Sequence, residues 1–231
     1  MTQPLESRPW LPYVLPMGVY MAFLLVQSNA DLLWVYPLKT VAVAATLWWF
    51  RKGYTELSVS REPSPARRGS PQTSRGAASG DAADSIPLAI SVGLVAIAIW
   101  IGIDPFYPKL SHVAAFDPSG HWVFIGFRVV GAVVVVPVME ELFWRAFLIR
   151  WLVNPDFKSV PLGTFTWPSF AVTVALFGAE HNEWLAGLIC GALYNWLFYR
   201  TRSVRACVVA HATSNAALAA WVLARGDWKF W

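Results

Sequence analysis

The residues able to do chemistry in this 231-residue chain are few, and they fall in three apolar runs. VVVVPVMEELFWRAFLIRWL carries Glu140, Glu141 and Arg145. VALFGAEHNEW carries His181, with Phe177 one helical turn before it. ACVVAHATSNAALAAWVL carries His211 and Asn215, four residues apart and so on one helical face. An ionisable group in hydrocarbon costs about 2.5–3.5 kcal/mol on insertion scales, so each needs a partner or a purpose. Glu141 and Arg145 stand at i, i+4 with the glutamate first, the favourable order for an ion pair. Glu140 lies about 100° around the same helix and lacks that partner. A glutamate and a histidine suffice to deprotonate a water, and a second histidine with an asparagine can donate hydrogen bonds to a developing oxyanion. Such chemistry needs no serine or cysteine nucleophile.

Each cluster alone also has a plainer explanation. The two glutamates with Arg145 would serve as a solvated charge group at a membrane surface. His181 would be interfacial, since Glu180 and Glu183 beside it are expected to reach water. His211 and Asn215 would be hydrogen-bonding glue between helices. Arg128, also in an apolar run, is expected to snorkel or to pair with a carboxylate. His112 and His121 read as surface residues, and Asp31, Asp104 and Asp117 as turn residues. It is the recurrence of polar groups at helical spacing in three separate runs that favours chemistry.

The elements that must position these groups follow from composition. Hydrophobic residues make up 56% of the chain and charged residues only 14%, against about 25% charged in an ordinary soluble domain. The mean hydropathy is +0.46. A soluble globule of this size cannot hide so much apolar surface. Disorder, collagen and a disulfide scaffold are excluded for want of charge, glycine period and cysteines respectively. Cys190 and Cys207 sit in apolar runs and read as small buried hydrophobes. Many of the 14 tryptophans end apolar runs, as rings that favour the membrane–water interface do. The net charge of +4 resides mostly in loop arginines and speaks for topology, not for nucleic acid.

Apolar runs cover 11–28, 33–50, 86–103, 121–153, 168–182, 184–199 and 206–224. The expected fold is all-α: a polytopic transmembrane bundle of seven or eight spans, one membrane-embedded domain over 1–231. Run 121–153 would extend about 50 Å as one helix, against a hydrocarbon core of about 30 Å. Pro137 is expected to kink it, and whether it crosses once or twice stays open. Residues 51–85, rich in Pro, Ser, Gly and Arg, read as a flexible loop. The positive-inside rule places that loop in the cytoplasm, with 104–120 external and, if run 121–153 crosses once, an external C-terminus. Gly187 and Gly191 form a G-x-x-x-G pattern that permits close helix packing.

The ordered set E-E-x-x-x-R, F-x-x-x-H and H-x-x-x-N resembles the CPBP family, which contains the type II CAAX prenyl endopeptidases and bacterial bacteriocin-processing or immunity homologues. Here it reads Glu140-Glu141-Leu142-Phe143-Trp144-Arg145, Phe177 to His181, and His211 to Asn215, without a substitution. The resemblance covers roughly 120–224 as a catalytic core. It implies a glutamate-dependent intramembrane endopeptidase of the inner membrane, multi-pass, with no cofactor and no metal. By it Glu140 and His181 would activate the water, His211 and Asn215 would hold the oxyanion, and Glu141 and Arg145 would form a supporting pair. The substrate would be a membrane protein or a lipidated peptide, and bacterial relatives point to a sorting-system partner. Two other functions compete. A zinc enzyme would use two histidines and a glutamate, and an immunity or transport protein would use the same cluster for packing or proton passage.

Overall fold

The computed structural model describes residues 8–27, 32–57, 77–111 and 116–231. Among these the chain is all helical. We number the helices α1 (Leu11–Gln27), α2 (Leu32–Phe50), α3 (Ala77–Ile103), α4 (Trp122–Trp151), α5 (Trp167–Ala179), α6 (Trp184–Thr201) and α7 (Val204–Arg225). They follow the apolar runs closely. Three stretches are long and apolar enough to cross a membrane, Ser85–Phe106, Trp122–Trp151 and Val204–Arg225, while α1 and α5 are shorter apolar helices. Trp34, Trp48, Trp49, Trp122 and Trp167 are exposed near helix ends, and Leu94, Val95, Val130 and Val134 are exposed along helix flanks. This is a bundle whose outer surface is built for lipid.

The long run 121–153 is one unbroken helix, α4, about 45 Å in length. Its irregularity takes the form of two π-helical stretches, Gly131–Val135 and Leu142–Leu148, on either side of Val136–Glu141. Pro137 accounts for the first. It has no N–H to return to the preceding turn, and the N–H of Val136 reaches back to the Gly131 carbonyl. A π turn takes up one residue more than an α turn, so the helix beyond it is rotated by about 100°.

The stretch 51–85 differs from the flexible loop expected. Residues 58–76 lie outside the described residues, but Ala77 onward already belongs to α3, and 51–57 fold into two short 3-10 turns. Those turns are tied down by polar contacts. The Tyr54 hydroxyl donates to the Pro12 carbonyl, the Tyr13 hydroxyl donates to Glu56, and Glu56 pairs with Arg150 at 2.9 Å. Loop composition could not reveal that anchoring, because its partners lie 40 and more residues away. Asp104 also departs from the turn residue expected. It is buried, and Lys109 and Lys229 both close on its carboxylate. The Asp104 hydrogen bond holds the Lys229 ammonium above its ordinary pKa. Asp117 does make the expected turn, accepting from the Ser119 N–H at 2.8 Å.

Two close helix contacts set the frame of the interior. Gly93 in α3 lies against the backbone of α7 at Ala210, next to Thr213. Gly187 and Gly191 in α6 lie against Gly178 and Phe177 at the end of α5. Both contacts flank residues of the three polar clusters. A side chain at position 93 would meet the Ala210 carbonyl itself. Gly93→Ala should therefore force α3 from α7 and cost about 1–3 kcal/mol. The expected result is a lower melting temperature in detergent, with a larger drop for Gly93→Val.

Candidate active site

Arg145 is the most enclosed cation of the described chain, 1% exposed. Its hydrogen-bond partners come from two helices, α4 and α6. Nη1 donates to Glu141 Oε1 at 3.1 Å, Nε to Asn195 Oδ1 at 3.2 Å, and Nη2 to the Gly191 carbonyl at 3.3 Å. Asn195 is fixed in turn, donating to Thr173 Oγ1 at 2.8 Å. The guanidinium also lies over the rings of Phe177 and Tyr194. Gly191 thus has two roles: it lets α6 approach Phe177, and its carbonyl receives Arg145. The expected pairing of Glu141 with Arg145 is present, and Glu141 is wholly buried.

Glu141 Oε1 has a second partner, Nδ1 of His211 at 3.0 Å. The carboxylate accepts, so Nδ1 carries the proton and the opposite nitrogen of the ring is left for other work. Tyr194 stacks on the imidazole with centroids 5.3 Å apart, and its hydroxyl pairs with Ser214 at 2.7 Å. One turn on, Asn215 Nδ2 donates to the Ala132 carbonyl at 2.8 Å. That carbonyl is free because Pro137, the residue five further on, has no N–H. The proline that distorts α4 thereby creates the acceptor that orients Asn215.

Glu140 points away from this network. It is 4% exposed, and its Oε2 has no hydrogen-bond partner among the described residues. It lines a cavity of about 290 Å³ together with His181, His211 and Asn215. All four candidate residues therefore face one space. His181 Nδ1 donates to the Phe177 carbonyl at 2.7 Å, which leaves Nε2 as the basic nitrogen of the neutral ring. Phe177 and Trp100 hold the imidazole, at 4.9 and 5.3 Å between centroids. The depth of His181 follows from the shortness of α5. Thr166 caps its start by accepting from the Ser169 N–H, and after 13 residues, about 20 Å, it ends in a tight turn at Ala179. His181 thus lies partway along the longer α4 and α7, at the level of Glu140.

Sequence reasoning missed Glu180. It was expected in water, yet a carboxylate oxygen of Glu180, one of Glu140 and a ring nitrogen of His181 lie within 4.8 Å of one another. The only signal was a glutamate adjoining His181, and a continued helix would have turned it about 100° away. The turn at the end of α5, where the His181 N–H reaches the Gly178 carbonyl, brings both residues to one side. Glu183 lines the cavity as well, and partial burial lifts its carboxyl above the usual range. His121 is exposed at the start of α4, as expected, while His112 and Asp31 lie outside the described residues. Cys190 and Cys207 are buried free thiols.

The donor set has the chemistry of a metal centre too. Glu140, Glu180 and His181 each offer one ligand atom at a spacing a divalent ion could bridge. This group differs from the glutamate and two histidines expected: His211 turns its Nδ1 to Glu141, and Glu180 stands in its place.

The comparison with protein families gives a match over residues 122–217 to the family described as Type II CAAX prenyl endopeptidase Rce1-like. Residues 122–217 belong to that family. The matched segment runs from the start of α4 into α7 and holds all of Glu140, Glu141, Arg145, His181, His211 and Asn215. Neither the curated proteins nor the solved structures give a match. Over this segment the chain is similar to CAAX-type proteases, a family that implies a membrane-associated or lipidated protein as substrate, and its apolar helices fit a membrane protein.

The Arg145 network predicts an asymmetric response to substitution. Arg145→Met strands the buried Glu141 carboxylate and should destabilise by about 3–5 kcal/mol. Adding Glu141→Gln removes the stranded charge and should restore part of that loss. Thermal unfolding of both variants in detergent measures the difference.

Proposed function

We propose that this protein is an intramembrane endopeptidase that hydrolyses a peptide bond with a water activated by Glu140 and His181. The observation that carries this is the Glu140 carboxylate. It is buried and makes no hydrogen bond among the described residues, whereas Oε1 of its neighbour Glu141 accepts from both Arg145 and His211, and it shares one cavity with His181, His211 and Asn215. A water between Glu140 and Nε2 of His181 gives up a proton to Glu140 as its oxygen attacks the scissile carbonyl. The oxyanion receives hydrogen bonds from the second amide hydrogen of Asn215 and from Nε2 of His211. Nδ1 of His211 already donates to Glu141, so donation from Nε2 requires the imidazolium. The Glu141 carboxylate stabilises that cation, much as a buried acid does in a catalytic triad. Glu140 then returns its proton to the leaving amine, and the amine and the acid depart as two chain ends.

The wider setting belongs to the same proposal. We infer a multi-pass chain of the inner membrane, a single domain whose 120–224 portion carries the chemistry, and a sorting system as the source of substrate. The apolar helix flanks and the tryptophans at the helix ends support this placement.

A zinc-dependent hydrolysis is the second reading, favoured by the convergence of Glu140, Glu180 and His181. A bound ion would supply a more acidic water, and the same three side chains would hold it.

Glu140→Gln and His181→Ala should each lower cleavage of an identified membrane substrate by about 10²–10⁴-fold while the protein still inserts and melts normally. Full cleavage by Glu140→Gln would overturn the assignment. Metal content of the purified protein, with cleavage measured before and after chelation, separates the two readings. Unchanged cleavage after chelation supports glutamate and histidine alone, and loss restored by zinc supports the metal.

A further inference from the structure

The cavity has a second, cationic end. Arg128 lines it from the first turns of α4, with its guanidinium over the rings of Tyr36 and Trp231 at 4.6 and 5.7 Å. Among the described residues it forms neither an ion pair nor a hydrogen bond, so the carboxylate expected for it from sequence is not there. Lys39 of α2, 3% exposed, lines the same space and lies over Tyr20 and Tyr36. A guanidinium held against aromatic faces in a partly enclosed cavity attracts an anion. The planar fork of Arg128 matches a carboxylate in particular.

The helix fixes where this end stands relative to Glu140. Twelve residues separate the two, about 18 Å along the axis. In a regular α-helix they would diverge by about 120°. The extra residue of the Gly131–Val135 π stretch takes back about 100°, and so Arg128, Ala132, Val136 and Glu140 all line the cavity. An extended peptide covers about 3.4 Å per residue and would span that distance with roughly five residues.

We propose that Arg128 is a specificity subsite for a carboxylate carried by the peptide substrate about five residues from the scissile bond. The carboxylate is supplied by the chain end or by an acidic side chain. The inference rests on the proposed peptidase reading, and it names what that site selects.

The test is binding to the full-length protein in phosphatidylcholine nanodiscs. Three tritium-labelled peptides of Ala, Val and Leu are compared: a free acid, its C-terminal amide, and the amide with a terminal Glu. At least one carboxylate-bearing peptide should bind roughly tenfold or more tighter than the plain amide. Tight binding by the free acid alone assigns the chain end, and rescue by Glu assigns a side chain. Arg128→Gln should erase the preference, and Arg128→Lys should keep part of it. Equal binding of all three peptides to the wild type overturns the proposal, as does a preference that survives Arg128→Gln. The Glu140→Gln protein should retain the preference. If that variant also still cleaves, the assignment of Glu140 fails while the subsite stands.

Discussion

A guanidinium sealed inside a lipid-facing bundle can be kept only if its donors are met and its charge is answered. Arg145 meets that condition with Glu141, Asn195, Gly191 and two aromatic faces. The solution ties α4 to α6, and through Asn195 and Thr173 to α5. Glu141 then passes the constraint to α7 by receiving Nδ1 of His211. One buried charge thus fixes the relative placement of all the helices that carry the candidate residues. A buried pair of this kind is weak evidence of net stability, because desolvation offsets most of its attraction. Its value lies in allowing one arrangement: a helix that slipped by a turn would leave a charge unmet.

The committed state of Glu141 is what gives Glu140 its freedom. Adjacent residues on a helix face directions about 100° apart, so one glutamate can serve the frame while the other faces the cavity. The distortion of α4 extends this economy. Pro137 removes an N–H, the helix adopts a π turn, and the spare Ala132 carbonyl receives Asn215. The same turn rotates Glu140 onto the face that holds Arg128. A single proline therefore shapes both ends of the cavity and positions a side chain from another helix.

Much of this was legible in the sequence because it rests on local spacing. The apolar runs mark the helices to within a few residues, except that α3 begins at Ala77, well before run 86–103. The i, i+4 rule gives the Glu141–Arg145 pair and, by elimination, the uncommitted Glu140. What escaped depends on contacts distant in the chain or on irregular backbone. Residues 51–57 look like loop, yet Tyr54 and Glu56 find partners on α1 and α4. Whether run 121–153 crosses once or twice could not be read from periodicity, because Pro137 marks only the first π turn and the second, Leu142–Leu148, leaves no compositional trace. Glu180 was misplaced for a related reason. Its direction is set by the point where α5 stops, and nothing in an apolar run fixes that point to one residue.

The position of Glu180 changes the character of the site. Glu140 and Glu180 lie near one another beside a histidine, in a cavity walled by Phe177, Trp100 and Tyr194. Two carboxylates so close repel one another when both are charged. The proposed hydrolysis, which takes a proton from water and delivers one to a departing amine, would benefit from such a neighbour, since each partner's charge tunes the other's basicity. The same pair, both ionised, would instead attract a divalent cation, which supplies the compensating charge. Proton or metal is then a competition for one patch of negative potential. The aromatic walls lower the local polarity and make either occupant count for more.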